Sequence, residues 1–406
     1  MRSIHLFRSS TPFAWFTCIF AVLAIAYYVL ETVNGRNQMA DFRVYYDACQ
    51  HFLDGSQVYG QAYGVSSGFY KYSPFAVIPF IPLALLPYGL ASIIYYFVVM
   101  ILFVEVTSRV FEVLSLPKNG KIATCFLVIV ALFAADHIER ELHLGNVNLF
   151  LLLLCFLLMD ALAKSKRIIA GLLLAILLLF KPHFIVLVPL LIWRIRWREL
   201  LFGFIFCGIG LLLPSLYAGW KGNLELLNAW GLAIKDHNVA LENSPNTIYG
   251  LINMGINGLG LNIQSIFVIG ISLLLVAIFS LFYLLRSRAI QPDIQRWYLE
   301  VFFVVAIIPN LTHTDTEHFI WSWPLIAFVV SIMLRIKFYG YKLYILFLTI
   351  AFIPYVLNSP DIVGKPLRNL FDEGGGLGIA NLLFVLLAFF LVVFHREQMK
   401  QLDTTK

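Results

Sequence analysis

Asp41 opens the run Asp41-Phe42-Arg43-Val44-Tyr45-Tyr46-Asp47-Ala48, which continues through His51, Phe52 and Leu53 to Asp54-Gly55. Apolar residues at 42, 45, 48, 49, 52 and 53 recur at helical spacing and predict an amphipathic helix lying on a membrane surface, with Asp41 at its start. Two chemistries fit a carboxylate there. It can cap the helix, because the orphan N–H groups of a helix N-terminus stabilise an anion. It can also act as a general base, taking a proton from an attacking hydroxyl.

Three further clusters offer partners for such chemistry. Asp136-His137-Ile138-Glu139-Arg140-Glu141 leads through His143 to Gly145-Asn146-Val147-Asn148, which opens a Leu-rich run. A helix start lined with amides can bind an anion, and ordinary capping by Asn146 or Asn148 is the competing reading. Lys181 and His183 interrupt an apolar stretch, where an ionisable group is costly unless paired or solvated, although Lys181 can also snorkel to water. Near residue 310, Asn310-Leu311-Thr312-His313-Thr314-Asp315-Thr316-Glu317-His318 is followed by Phe319-Ile320-Trp321. Two histidines five apart do not share one helix face, so no metal is expected. Asn310-Leu311-Thr312 also has the pattern of a glycosylation sequon, informative only in a secretory eukaryotic cell.

The elements that must hold these residues are membrane helices. The 406 residues are 60% hydrophobic, 16% aromatic and only 13% charged, with a mean hydropathy of +0.84. That composition excludes a soluble globular chain. A bilayer core of about 30 Å needs roughly 20 apolar residues per helix. Apolar runs at about 14–33, 88–111, 122–136, 147–163, 168–180, 184–193, 200–218, 265–286, 297–311, 318–335, 341–357 and 377–395 give about twelve spans.

Alternate breaks carry the basic residues, such as Lys164/Lys166/Arg167, Arg194/Arg196/Arg198 and Arg286/Arg288/Arg296. Positive-inside topology therefore puts both termini in the cytoplasm of a plasma (inner) membrane protein and the acidic and amide clusters on the outer face. The same topology explains the net charge of +6 without invoking nucleic acid. The first run is longer than a signal-peptide core and reads as a signal anchor. Pro74 to Pro87 holds four prolines in an apolar piece too short to span, so it reads as interfacial or re-entrant. It requires protein or a wet cavity to satisfy the carbonyls that proline leaves bare. Without a repeat or long linker, residues 1–406 read as one polytopic domain, all-α, with an amphipathic outer-face loop helix.

A wet outer-face cavity with a carboxylate, cations at the membrane boundary and nearby histidine suits a lipid-phosphate donor and an acceptor hydroxyl. A transporter or flippase of a lipid-linked sugar would use similar clefts, although such proteins often show an internal repeat.

The order of motifs resembles glycosyltransferase family 87, the polyprenol-phosphate-mannose-dependent mannosyltransferases of the GT-C superfamily. The marks are Asp41-x-x-Val44-Tyr45 followed by Gly55, Tyr59 and Tyr70-Lys71-Tyr72-Ser73-Pro74-Phe75. Next come Gly145-Asn146-Val147-Asn148, where the family typically has Gly-Gln-x-Asn, and Ala170-Gly171-Leu172 leading to Phe180-Lys181-Pro182. The last are Asn243-Ser244-Pro245-Asn246 before Tyr249-Gly250, and His318-x-x-Trp321 preceded by Glu317 where a first His is common.

The resemblance spans most of residues 35–325 and implies a GT-C-like bundle that moves a sugar, mannose in the family, from a polyprenyl-phosphate donor to an extracytoplasmic glycan or glycolipid hydroxyl with inversion. A GT-C enzyme using another lipid-linked sugar is the variant reading. By the same resemblance Asp41 is the general base, Arg140, Lys181 and His318 hold the donor phosphate, and Asn146, Asn148, His183 and Asn246 contact substrate. No metal or other cofactor is required, since fixed cations can stabilise the leaving phosphate.

Overall fold

The computed structural model describes residues 10–64, 68–116, 120–238, 244–261, 263–288, 290, 293–312, 315–335, 340–358 and 360–395. Asn243, His313, Thr314 and the basic residues Arg2, Arg8, Lys118, Arg396 and Lys406 lie outside them. Among the described residues the regular structure is helical apart from one antiparallel two-stranded hairpin, Ala62–Tyr63 with Gly68–Phe69.

Among the described residues, six helices are long and apolar enough to cross a membrane: Thr11–Val33, Tyr88–Val113, Lys121–Leu144, Ile266–Ser287, Thr316–Arg335 and Gly376–Phe394. Trp197–Leu212 with Ser215–Asp236, bent by 91°, makes up to seven. The expected count of about twelve is therefore not reached by length and composition. The reason is local: the runs at 147–163, 168–180 and 341–357 form helices of 16, 14 and 16 residues. Lys181 ends one of them because the residue before a proline is pushed out of helical geometry; its backbone is extended at φ −135° and ψ 105°. Pro182–Val186 then turns as a 3-10 helix into Leu187–Trp193.

The chain divides into two compact units that interleave in sequence. One comprises Thr17–Val106 and Glu139–Asn238. Its helices Arg167–Phe180 and Trp197–Leu212 pack backbone to backbone at Gly171 and Gly203: a Cβ on Gly171 would lie 2.4 Å from the Phe202 Cβ and 2.8 Å from the Gly203 nitrogen. Small residues allow this approach where apolar burial gives no drive between helices.

The other unit comprises Met1–Phe16, Thr107–Ile138 and Val239–Lys406. Helix Trp323–Arg335 is buried from Trp323 to Met333, and the Trp323 indole N–H donates to the Val130 carbonyl at 2.8 Å. Asn381 donates to the Ala306 carbonyl at 2.8 Å and to Asn310 Oδ1 at 2.7 Å, tying helix Gly376–Phe394 to helix Asp293–Leu311.

Candidate active site

Asp41 sits in the first turn of helix Ala40–Leu53. The N-cap position belongs to Met39, in left-handed geometry at φ 43°, so the capping reading of Asp41 does not hold. The helix is also more deeply packed than a surface helix. Val44 and Tyr46 are buried along with Phe42, Tyr45, Ala48, Cys49 and Phe52, and the hairpin and the proline-rich segment pack against the helix.

That proline-rich segment forms the 3-10 helix Pro74–Phe80 and the short helix Ile81–Ala84. Its last carbonyls are satisfied by the loop helix: Tyr46 Oη donates to Leu86 O at 2.7 Å and Gln50 Nε2 to Ala84 O at 3.3 Å. The loop helix thus supplies side-chain donors to the carbonyls at the end of this segment.

The Asp41 carboxylate meets the Asn146 amide, with Nδ2 donating to Oδ2 at 2.6 Å. Asn146 Oδ1 accepts from the Val147 N–H at 2.7 Å and from Tyr45 Oη at 3.5 Å. The N-cap of helix Asn148–Ala163 is Val147, so neither asparagine caps that helix in the ordinary way. Asn146 is turned toward the acid. Tyr45 Oη lies 3.0 Å from Tyr72 Oη. Burial, with Tyr72 and then Asp41 beside it, raises the Tyr45 phenol well above its ordinary range, so it serves as a neutral hydrogen-bonding hydroxyl.

Asn148 points the other way, to a second cluster. Lys181 Nζ donates to Asn148 Oδ1 at 2.8 Å, and Asn148 Nδ2 donates to Glu141 Oε1 at 2.5 Å. Lys181 is only 5% exposed, which removes the snorkelling reading. Its ammonium stands 5.8 Å from the centroid of the Tyr72 ring. Asp41, Asn146, Tyr45, Tyr72, Lys181, Asn148 and Glu141 therefore form one polar and aromatic seam within a single unit.

Gly145 closes the turn between the two clusters at φ +68°, and a Cβ there would lie 2.7 Å from the Phe42 Cβ and 2.8 Å from the Met39 methyl. Gly145→Ala is expected to destabilise the protein by about 1–3 kcal/mol through backbone strain and to shift the start of the loop helix. Thermal unfolding should show the loss.

The remaining candidates are placed differently. Arg140 and His183 are partly exposed in the same unit, on helix Lys121–Leu144 and in the turn Pro182–Val186. That helix runs on to Leu144, beyond the expected end near 136. Its Glu139 and His143, one turn apart, face Tyr27 and Glu31, also one turn apart: Tyr27 donates to Glu139, and His143 Nδ1 lies 2.8 Å from Glu31.

His318 and Asn246 belong to the other unit. His318 is carried by the 3-10 helix Thr316–Ser322, which is held by His137 Nδ1 at 3.0 Å from Thr316 O and by Tyr355 Oη donating to Phe319 O at 2.6 Å. Asp315, Glu317 and His318 present ligand atoms within 4.8 Å of one another, a set able to hold a cation. The i, i+5 spacing of the two histidines, taken with these two acids, predicts no metal; the group brought together here is His318 with both acids.

Asn246 is built into the packing. Its Oδ1 accepts from the Gly378 N–H at 2.9 Å and its carbonyl accepts from Asn310 at 2.9 Å. Asn310 itself is fully buried and also donates to Gly378 O at 3.0 Å, so the sequon is closed to modification in the folded protein.

The fold and the seam define an integral membrane protein whose reactive polar groups gather at a loop helix and at the ends of neighbouring helices. The chain belongs to glycosyltransferase family 87, whose family model matches residues 69–309, more than half of its length. Over 182 residues it is also 24% identical to an alpha-(1->3)-arabinofuranosyltransferase of Corynebacterium glutamicum, the alignment covering 45% of this chain and 43% of that protein. The chain thus matches less than half the length of this relative.

Proposed function

We propose that this chain is a membrane glycosyltransferase that moves a sugar from a polyprenyl-phosphate donor to a hydroxyl of an extracytoplasmic glycan or glycolipid, with inversion. The observation that carries this reading is the Asp41–Asn146 pair: a carboxylate fixed by an amide, in the same unit as a buried lysine ammonium. Asp41 takes the proton of the acceptor hydroxyl as its oxygen bonds to the anomeric carbon. The bond from that carbon to the phosphate oxygen breaks, and polyprenyl phosphate leaves as the anion, met by Lys181 together with Arg140 of the same unit. Asn148 acts through Lys181, His183 stands as a further substrate-side candidate in the same unit, and the reaction as written needs no redox step.

Mannose is the donor sugar implied by the sequence motifs, and the name of the corynebacterial relative brings arabinofuranose beside it. The loop helix, the proline-rich segment and the helix ends lie on the extracytoplasmic side in this reading, with both termini in the cytoplasm of the plasma membrane. The test is transfer from radiolabelled polyprenyl-phosphate mannose and polyprenyl-phosphate arabinofuranose by purified protein in lipid nanodiscs. Label should enter a hydroxyl acceptor with inverted anomeric configuration. Uptake of intact lipid-linked sugar across the membrane without bond cleavage would replace the enzyme reading with a transporter.

A further inference from the structure

Glu141 takes no part in the chemistry above, yet it is the most deeply placed charge of the seam. It is 0% exposed, as is Asn148, and Lys181 is 5% exposed. Oε1 accepts from Asn148 Nδ2 at 2.5 Å, and Oε2 accepts from the Leu149 N–H at 3.4 Å, an orphan donor in the first turn of helix Asn148–Ala163. A carboxylate accepts on both oxygens and donates on neither. Facing it, the Asn148 amide has only one satisfactory orientation: NH₂ toward Glu141, carbonyl oxygen toward Lys181. We infer that Glu141 is a positioning residue, which sets the Asn148 amide so that an acceptor faces the Lys181 ammonium and holds it where the donor phosphate binds. This rests on the proposed reading of Lys181.

Shape alone does not do this. Glu141→Gln keeps the volume but introduces one NH₂ group. If that group faces Leu149, two donors meet there. If it faces Asn148, the Asn148 amide must turn over and direct its own NH₂ at the lysine, so two donors meet at the ammonium. Either arrangement also leaves Lys181 without the negative charge two hydrogen bonds away. The pair Glu141→Gln with Asn148→Asp moves the carboxylate one step along the relay. The glutamine NH₂ then donates to the introduced carboxylate, whose second oxygen accepts from Lys181, and the glutamine carbonyl accepts from Leu149.

The experiment compares four proteins in nanodiscs with the donor that the wild type uses: wild type, Glu141→Gln, Glu141→Gln/Asn148→Asp and Lys181→Met, each with its thermal midpoint measured. Glu141→Gln should raise the donor KM about tenfold with kcat within about threefold, and the double variant should return KM to within about threefold of wild type. An unchanged KM in Glu141→Gln, beside a raised KM in Lys181→Met, overturns the relay and leaves the Lys181 reading standing. A lowered midpoint in Glu141→Gln whose KM change the second substitution does not reverse assigns Glu141 to helix capping and overturns the relay. No effect of Lys181→Met removes the phosphate-binding lysine, and the relay falls with it.

Discussion

Asp41→Asn is expected to lower the rate of sugar transfer by about 10³-fold at saturating donor, within the range that general bases contribute. The substitution is close to isosteric, and the carbonyl oxygen it provides can still accept from Asn146 Nδ2, which now donates to Asp41 Oδ2 at 2.6 Å. Folding should therefore change little, with a thermal midpoint close to wild type, while the group that takes the acceptor proton is lost. Radiolabel transfer with matched protein amounts measures the first quantity and thermal unfolding in nanodiscs the second. Transfer by Asp41→Asn at the wild-type rate would remove Asp41 from the base role and return it to a structural one.

Lys181→Met is expected to be the other large effect, a fall of about 10²-fold or more in kcat/KM for the donor. Methionine fills the volume of the lysine stem but supplies no charge to the leaving phosphate. It also leaves the fully buried Asn148 Oδ1 without the donor that now lies 2.8 Å away, a cost of about 1–3 kcal/mol in stability. The two losses separate by measurement, because the first appears in steady-state kinetics at a temperature where the variant is folded. Lys181→Arg should recover only part of the activity. A planar guanidinium does not match a site closed around one ammonium, between an amide oxygen and a tyrosine ring. Kinetics of Lys181→Met indistinguishable from wild type would move the phosphate away from this side chain.

The membrane nature of the chain was legible in the sequence because it is a bulk property: apolar runs set off by charged breaks mark helices whatever their neighbours do. The breaks at Lys181-Pro182 and at the proline-rich segment were legible for a similar reason, since proline restricts its own backbone and that of the residue before it. Candidate residues could be picked by type and by order. Asp41, Asn146, Asn148 and Lys181 all stand out by residue type and order alone.

The pairings were not legible. Asn146 serves Asp41 across 105 residues, and Lys181 serves Asn148 across 33. Sequence spacing carries no information about such distances once the chain turns through several helices. Two asparagines separated by one valine therefore looked alike, as caps or as an anion site, although one faces a carboxylate and the other an ammonium. Glu141 does not stand out in the sequence because one helix ends at Leu144 and the next begins at Asn148, so the i, i+7 spacing between them does not run along one continuous helix face. Asn246 looked polar and available in the chain, whereas its amide oxygen is bonded to the Gly378 backbone 132 residues away.

By itself, the sequence determined a polytopic helical membrane protein, the local breaks in its helices and a short set of reactive side chains, because composition and backbone stereochemistry act over a few residues. The tertiary structure alone decided which acid meets which amide, how deeply Lys181 and Glu141 are buried and which short helices fall below the length of a span. Those properties depend on groups brought together from distant parts of the chain, where burial and hydrogen-bond direction, rather than residue type, fix what each side chain can do.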